Sequence, residues 1–281
     1  MSRRMSRRFA QIDVFTTTAH GGNPVAVVLD AEGLDTATMQ SFTDWTNLSE
    51  ATFVLPPTVP GADYRVRIFC PGRELPFAGH PTLGTCHAWL SAGGRPTGDR
   101  IVQECGVGLI AIRHDDGRLA FQAPPLRRTG PLAEAEVDRL VAGLGLRRDQ
   151  VIAHQWCDNG PGWQGLLLDS AASVLDVVPD PSIITGLDVG IVGPHPAGGD
   201  AHFEVRAFFP GNTGLAEDPV TGSLNAAFGQ WLIGAGLAPD HYVAAQGTVL
   251  GRTGRVHVDR ADDGIWIGGG ALTIIEGTVA I

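Results

Sequence analysis

Short runs of alternating or continuous apolar residues dominate the chain and predict many strands and few helices. Runs such as NPVAVVLD, ATFVLPP and YRVRIFC are bounded by glycine, proline or polar residues, as expected of strands that end in turns. The same texture returns later as GLLLD, FEVRAFF, GRVHVD and IWIGG. Apolar residues recur at helical spacing in residues 35–46 and 133–144, which we predict to be helices. The pattern therefore predicts an α+β fold.

One stretch of the chain occurs twice. Residues 66–80 read VRIFCPG-R-ELPFAGH, and residues 205–223 read VRAFFPG-NTGLA-EDPVTGS. Both contain V-R-x-F-x-P-G, a short insert and E-x-P-x-x-G-x, and both run into a segment of helical character. A fainter echo pairs GNPVAVVLD with PGWQGLLLD. Two copies indicate a pair of similar domains rather than a solenoid, which needs at least three repeats.

A pair of prolines marks the predicted boundary between the two halves. Pro124 and Pro125 lack the backbone N–H that a central strand donates, so residues 123–126 are typical of a linker. We expect a first half of residues 1–124 and a second half of residues 125–281, with a return of residues from about 270 to 281 to the first half. The basic start, MSRRMSRRFA, has no apolar run behind it and so lacks the body of a secretory signal, and we expect either a disordered leader or an ambiguity in the start site.

Composition narrows the classes of function. All 20 basic residues are arginine, which excludes Schiff-base, pyridoxal-phosphate and P-loop chemistry, because each needs a lysine. The net charge of −10 opposes binding to nucleic acid. No run approaches the roughly 20 apolar residues of a membrane helix, so we expect a cytoplasmic protein without a membrane partner. The four cysteines form no C-x-x-C pair and are expected to be reduced, mostly buried thiols.

Metal and nucleotide sites find little support in the sequence. His195 and His202 could be imagined as metal ligands, but no third ligand stands at a recognisable spacing. The glycines at 268–270 lack the G-x-G-x-x-G pattern of a dinucleotide site. No G-x-S-x-G motif of a hydrolase is present. We therefore predict chemistry without a metal or an organic cofactor.

In each copy of the repeat a glycine precedes a polar residue at a predicted helix start, as Gly79-His80 and Gly222-Ser223. A helix N-terminus offers N–H groups and partial positive charge, and glycine lets a ligand approach the backbone closely. Two such termini facing one cleft would bind a substrate carboxylate. Alternatively, Ser223 is only a helix cap and Gly79 only a turn residue. The duplication of an anion-binding turn in an acidic protein favours the binding site.

Three titratable residues lie near these turns. Glu50, in TNLSEATFVLPP, stands where a polar segment enters an apolar strand, and burial there would raise the pKa of its carboxyl and make it a base near neutral pH. A glutamate at a strand edge that faces solvent is an equally good interpretation. His80 could simply form local hydrogen bonds at its helix start, and Asp218, in EDP, could form an Asx-turn.

Four motifs, in order, resemble the phenazine-biosynthesis PhzF-like isomerase family: QIDVFTTTAHGGNPVAVVLD, NLSEATFVLPP, YRVRIFCPGRELPFAGHPTLG and AEDPVTGSLNAAFGQWL. The resemblance runs from about residue 10 to the C-terminus. It implies the diaminopimelate epimerase-like fold, in which two similar α/β halves each curl a mixed sheet around a central helix. It also implies that the site lies between the halves.

The resemblance further implies a role for each motif residue. Glu50 would be the base, while His80 and Asp218 would orient and protonate polar groups of the substrate. The substrate-binding positions would be Ser49, Gly79, Gly222 and Ser223. The family's usual threonine after the glutamate is replaced by Ala51, a departure expected to reshape the pocket.

A related group of enzymes is excluded by two residues. Diaminopimelate epimerases carry a cysteine immediately before the glycine of each turn, where this chain has Ala78 and Thr221. Racemisation by two thiols is therefore not available at these positions.

The resulting prediction is a cofactor-independent isomerase that moves a proton between carbons of a small, cyclic amino or hydroxy carboxylate. Two alternatives stay open: epimerisation at a carbon next to a carboxylate, and a ligand-binding protein that has lost turnover. Retention of Glu50, His80, Asp218 and Ser223 together argues against the second alternative. The resemblance also makes a homodimer an open expectation, because members of the family often form homodimers.

Overall fold

A computed structural model describes residues 5–115, 117–211 and 214–281. The strands within these ranges are β1 (Ser6–Val14), β2 (Asn23–Val28), β3 (Ala51–Leu55), β4 (Tyr64–Cys70), β5 (Arg73–Leu75), β6 (Ile101–Cys105), β7 (Gly108–Asp115), β8 (Arg118–Gln122), β9 (Val151–Cys157), β10 (Trp163–Leu168), β11 (Val189–Pro194), β12 (Phe203–Gly211), β13 (Gly214–Glu217), β14 (His241–Gln246), β15 (Gly254–Ala261), β16 (Gly264–Gly269) and β17 (Ala271–Ala280). The α-helices are α1 (Thr36–Thr46), α2 (Gly79–Ser91), α3 (Glu134–Gly143), α4 (Ala171–Leu175), α5 (Pro181–Ile184) and α6 (Gly222–Gly234). Single 3₁₀ turns occupy Arg148–Gln150 and Thr248–Leu250.

The contacts of the chain divide it into two units. The first contains Met1–Gln122 and Gly268–Ile281, and the second contains Ala123–Ile267. The C-terminal strand β17 pairs antiparallel with β1, from Ser6 opposite Ala280 to Val14 opposite Ala271, and so belongs to the first unit. Residues 123–126 belong to no helix or strand. The division expected from the sequence, after residue 124 and again near residue 270, lies two residues from these boundaries.

The two units repeat one scheme of strand pairing. In the first unit, β1–β2 is antiparallel, β2–β3 parallel, β3–β4 and β4–β5 antiparallel, β4–β6 parallel and β6–β7 antiparallel. In the second unit β9 to β15 pair in the same order and with the same directions. Each parallel pair needs a crossover, which α1 and α2 supply in the first unit and α4, α5 and α6 in the second. The predicted duplication is confirmed, although Asn212 and Thr213 of its second copy lie outside the described residues.

Each unit contains one helix that is buried on nearly all sides, as expected of a helix enclosed by its own unit. Helix α2 contacts β1, β2, β3, β8 and β17, and nine of its residues are buried. Its Gly84 is required by close packing, because a Cβ there would lie 2.4 Å from Cγ1 of Val25. Helix α6 buries ten residues, so α2 and α6 are the central helices of their units.

The strands of the first unit present different residues to their two faces, as a pleated sheet requires. Ala51 and Phe53 of β3 pack in one hydrophobic cluster with Met39 and Phe42 of α1. Thr52 lies on the other face, where its hydroxyl accepts a hydrogen bond of 2.8 Å from Thr85 of α2. The expectation that Ala51 reshapes the pocket is wrong, because its side chain is fully buried among the apolar residues beside α1.

Two further sequence predictions can be compared with the structure. The helices predicted at 35–46 and 133–144 are confirmed as α1 and α3, and α1 starts behind Asp35, whose carboxylate accepts a hydrogen bond from the backbone N–H of Thr38. The expectation of a disordered leader is wrong from Ser6 onward, because β1 starts there, while residues 1–4 lie outside the described residues. Buried Arg7 explains the difference, since its guanidinium donates to the backbone carbonyls of Asp30 and Glu32.

The four cysteines are free. Cys86 and Cys157 are buried, and Cys70 and Cys105 are half-buried. Burial raises the pKa of the Cys86 and Cys157 thiols to about 12, so both behave as inert apolar groups. Across the described part of the chain, none of the helices combines the length and apolar character needed to span a membrane.

Candidate active site

Glu50 is positioned by the end of α1 and the start of β3. Helix α1 ends at Thr46, and Asn47 adopts a left-handed conformation with φ of 56° that turns the chain back toward the sheet. The half-buried Ser49 follows in this turn, and Glu50 immediately precedes β3. The Glu50 carbonyl accepts a hydrogen bond of 3.4 Å from the N–H of Ala26. The backbone of Glu50 therefore continues the β2–β3 ladder.

The carboxylate of Glu50 lies against the first turn of α2. Oε2 of Glu50 is 3.3 Å from Nε2 of His80, and the two side chains are 16% and 6% exposed. His80 is the second residue of α2 and also forms a hydrogen bond to the backbone carbonyl of Pro24. Since Nε2 faces Glu50, the bond to Pro24 uses the other ring nitrogen, Nδ1. The imidazole is therefore fixed between one carbonyl and one carboxyl group.

Burial makes this imidazole neutral over the ordinary working range of pH. It lowers the pKa of His80 from 6.5 to about 3, although the hydrogen bond to Pro24 acts in the opposite direction. A neutral imidazole has one N–H and one acceptor nitrogen. Because the N–H is donated to Pro24, Nε2 presents its lone pair to Glu50. The contact between His80 and Glu50 is therefore not an ion pair between two charged groups.

A thiol lies close to this pair. Phe69 of β4 is opposite Ala51 in the antiparallel ladder, so Cys70 follows opposite Glu50. Burial raises the pKa of the Cys70 thiol, and the charge of Glu50 acts in the same direction. The sulfur consequently stays protonated and is a poor nucleophile.

In the second unit, Ser223 does not occupy the N-cap position that a purely capping role would require. Helix α6 starts at Gly222 behind Thr221, so Ser223 is inside the first turn and is not the N-cap. Its hydroxyl oxygen accepts a hydrogen bond of 3.1 Å from Nε1 of Trp163. Its carbonyl accepts one of 2.8 Å from the side-chain amide of Asn159. A hydroxyl whose oxygen accepts from Trp163 still has its own proton to donate.

A network of hydrogen bonds holds the turn in front of α6. The Thr221 hydroxyl donates to Oδ2 of Asp218 at 2.7 Å and accepts from the side-chain amide of Gln246 at 2.8 Å. Oε1 of Gln246 accepts from the backbone N–H of Thr221 at 3.0 Å and from Asn225 at 2.8 Å. Gln246 and Asn225 are fully buried. The network therefore determines the position of the Asp218 carboxylate.

The two turns share one property. Neither Ala78, in front of α2, nor Thr221, in front of α6, caps the amides of its helix through its side chain, as the structure describes these turns. Gly79 and Gly222 are the first residues of the helices, and both are buried. The first N–H groups of a helix favour an anion. The geometry of each turn is thus suited to a carboxylate.

The histidines considered as metal ligands have other partners. Nε2 of His195 lies 3.0 Å from Oε2 of Glu204, and Nδ1 of His202 accepts from the backbone N–H of Val243 at 3.1 Å. Among the residues that the structure describes, no group of three or more His, Cys, Asp and Glu is arranged to hold a metal ion. Chemistry without a metal or an organic cofactor stays a prediction.

A sequence model of the family described as phenazine biosynthesis-like proteins (PhzC-PhzF) matches residues 12–277. The chain belongs to this PhzF-like family. The family assignment made from the four sequence motifs is therefore confirmed.

Individual relatives agree with this assignment. The chain is 36% identical over 220 residues to trans-2,3-dihydro-3-hydroxyanthranilate isomerase of Pseudomonas aeruginosa, with 77% of this chain and 76% of that protein covered. It is 37% identical over 290 residues to antisense-enhancing sequence 1 of Schizosaccharomyces pombe, with 96% and 97% covered. A crystal structure of a PhzF-family protein from Enterococcus faecalis has a TM-score of 0.81 at 24% identity and covers 99% of this chain and 100% of that one. The predicted diaminopimelate epimerase-like fold and the prediction of an isomerase are confirmed.

The predicted site residues of this PhzF-like chain form two groups. Glu50 and His80 are in contact in the first unit, with Ser49 and Gly79 next to them in the chain. The second unit brings Asp218, Gly222 and Ser223 into one turn at the start of α6. Sequence reasoning missed Gln246, Asn225 and Trp163, which hold the second group in place. The roles of all these residues, the homodimer and the cytoplasmic location stay predictions.

Proposed function

We propose that this PhzF-like isomerase moves a proton between two carbons of a small, cyclic amino or hydroxy carboxylate, with Glu50 as the acid and the base. The contact between Oε2 of Glu50 and Nε2 of His80 is the observation that carries the proposal. It provides a carboxyl group that is largely shielded from water and has an acceptor for its own proton. A single group of this kind can accept a proton in one step and return it in the next.

The proposed reaction starts with the carboxylate of Glu50. It removes a proton from one carbon of the substrate, and the electron pair of that C–H bond enters the conjugated system. The new carboxyl O–H donates a hydrogen bond to the neutral Nε2 of His80, which stabilises the protonated form. Glu50 then returns the proton to a second carbon, where a new C–H bond forms. The composition of the substrate is unchanged, and no cofactor takes part in the balance.

His80 positions the proton without carrying it. An imidazole whose pKa burial lowers to about 3 does not take up a proton near neutral pH. Its N–H is also held by the carbonyl of Pro24. The proton therefore stays on Glu50 during the interval between the two transfers. Both carbons must come within about 3 Å of the same carboxyl group, which a flat cyclic substrate allows.

The second group of residues is proposed to bind the polar groups of the substrate. Ser223 has a hydroxyl proton to donate, and the start of α6 favours a carboxylate. Asp218 presents a fixed carboxylate that would accept from a substrate amino or hydroxyl group. The name of the Pseudomonas aeruginosa relative describes a substrate with carboxylate, amino and hydroxyl groups. A substrate of the same class is proposed for this chain.

The test compares Glu50→Gln with Glu276→Gln, a matched change at an exposed glutamate of the same unit. Glutamine keeps the shape of the side chain but cannot accept the proton. We expect kcat to fall by about 10²–10⁴-fold in Glu50→Gln, with KM largely kept. Steady-state kinetics with trans-2,3-dihydro-3-hydroxyanthranilate and related cyclic amino carboxylates measure both constants. Wild-type turnover by Glu50→Gln would refute the proposal. A product of the wild-type enzyme with an inverted stereocentre, and no shifted double bond, would show epimerisation and not isomerisation.

A further inference from the structure

The second unit contains a depression of about 400 Å³ that the proposed reaction does not use. Its polar lining comes from His195, Asp200, Glu204, Thr248 and Arg255. Proline, leucine and alanine side chains form the rest of the wall. The volume falls within the range of small-molecule sites, which combine apolar walls with a few converging polar groups.

Glu204, on β12, is the most unusual of these residues. It is 1% exposed, and its Oε2 lies 3.0 Å from Nε2 of His195. Among the described residues, nothing donates a hydrogen bond to its other oxygen, Oε1. A buried carboxylate with an unsatisfied oxygen is destabilising in a folded protein. The position therefore requires an explanation other than the stability of the fold.

In the duplicated first unit, the carboxylate of the corresponding strand pair lies on the other strand. Parallel pairing places Arg65 opposite Glu104 in the first unit and Glu204 opposite Ala245 in the second. The carboxylate of Glu104 accepts hydrogen bonds from both the backbone and the side chain of Thr58. By its place in the repeat, Glu204 corresponds to Arg65, and Ala245 corresponds to Glu104. The carboxylate of the first unit is thus satisfied by Thr58, whereas in the second unit Oε1 of Glu204 has no donor among the described residues.

The depression is separate from the turn that holds Asp218. Glu204 and Ala245 pair across the β12–β14 ladder, and Val205 and Gln246 form the next pair. Neighbouring pairs point to opposite faces of a sheet. Gln246 reaches the turn in front of α6, so Glu204 faces the other side, where Leu175 of α4 lines the depression. A ligand at Glu204 would therefore not occupy the proposed substrate-binding turn.

The charges around the depression select one class of ligand. Arg255 is already engaged, since its Nε and one terminal nitrogen donate to Oδ2 of Asp200 at 3.0 and 2.9 Å and the other donates to the Gly254 carbonyl. An anion would meet the negative charge of Glu204 without a free cationic partner nearby. Among the described residues, no three His, Cys, Asp or Glu side chains at the depression are arranged to hold a divalent metal. An ammonium group supplies three donors and a positive charge, and this chain contains no lysine to supply one.

We infer that the depression binds a small primary amine, with its ammonium group at the carboxylate of Glu204, whose buried Oε1 turns toward the depression on binding, and its hydrocarbon part against the apolar wall. The direct test titrates the full chain with butylamine and with butyrate at matched ionic strength, using calorimetry. Butylamine should bind saturably and butyrate should not. Glu204→Gln should weaken the binding of butylamine about tenfold to a hundredfold, which is typical of losing a hydrogen bond to a charged group. Glu134→Gln, the same change at an exposed site of this unit, should bind like the wild type.

Thermal unfolding gives a second readout that does not depend on the titration. Butylamine should raise the Tm of the wild type and should leave the Tm of Glu204→Gln unchanged. Ala197→Trp places a large side chain at an exposed residue of the rim, so it should block binding without disturbing the core. Equal binding of butyrate, absence of saturable butylamine binding, or wild-type affinity in both variants would overturn the inference.

Discussion

The buried imidazole of His80 makes the stability of this protein depend on acid in a predictable way. Burial lowers the pKa of His80 from 6.5 to about 3. The unfolded chain binds a proton at this residue below about pH 6.5, whereas the folded chain does not until about pH 3. The contribution of His80 to folding stability is therefore complete above the pKa of the unfolded state. It is lost as the pH falls toward the pKa of the folded state. At about pH 5 the loss reaches about 2 kcal/mol, a sizeable part of a typical folding free energy of roughly 5–15 kcal/mol.

The free energy of unfolding in urea, measured at about pH 8 and about pH 5, gives this loss. Comparison of matched variants cancels the contributions of the other titratable groups, because these groups are the same in each protein. His80→Asn removes the titration and keeps an amide donor for the Pro24 carbonyl. His241→Asn is the control, because the side chain of His241 is 69% exposed. Between the two pH values, His80→Asn should lose about 2 kcal/mol less stability than the wild type and His241→Asn. An equal loss in all three proteins would refute the assignment of His80 as a neutral, buried imidazole.

Three further predictions concern the duplicated motif, the substrate-binding turn and the reaction. Arg206→Gln should cost about 3–5 kcal/mol of unfolding free energy, because the ion pair of Arg206 with Glu217 is buried. Arg67→Gln should cost about 1 kcal/mol or less, because the ion pair of Arg67 with Glu74 is partly exposed. Similar losses for the two variants in chemical denaturation would contradict this. Ser223→Ala should raise KM about tenfold through loss of a donor while kcat is largely kept, as steady-state kinetics can check; an unchanged KM would remove Ser223 from the site. Activity should survive dialysis against a chelator, whereas activity lost on dialysis and restored by a metal would show that a metal is needed.

Much of the fold and of the candidate site follows from local sequence. The repeat lies in short continuous motifs, so it predicted both central helices and the turns at Gly79 and Gly222. Glu50 could be placed at the start of a strand because the polar-to-apolar change is local. The contact of Glu50 with His80 joins residues 30 positions apart and appears only once β3 and α2 are packed together. Burial, and hence the neutrality of His80, is likewise a property of the packed unit.

Other features carried no recognisable signal in the sequence. Gln246 reaches Thr221 across 25 positions, and Trp163 reaches Ser223 across 60. The strand at Ser6 was missed because its first residues are polar and basic. The backbone carbonyls that accept hydrogen bonds from Arg7 come close to it only when the chain folds. His195 was considered only as a metal ligand, since its carboxylate partner Glu204 is recognisable by burial and not by spacing.

The central claim is that the carboxyl group of Glu50 carries one proton from one carbon to another. The most direct measurement uses substrate labelled with deuterium at the donor carbon, a single turnover in ordinary water, and NMR of the product. Because the Glu50 side chain is only 16% exposed, proton exchange with solvent should be slow enough for part of the label to reach the acceptor carbon. Deuterium at the new C–H position is the predicted result. A product that carries no label at that position, from the first turnover onward, would contradict transfer by a single carboxyl group.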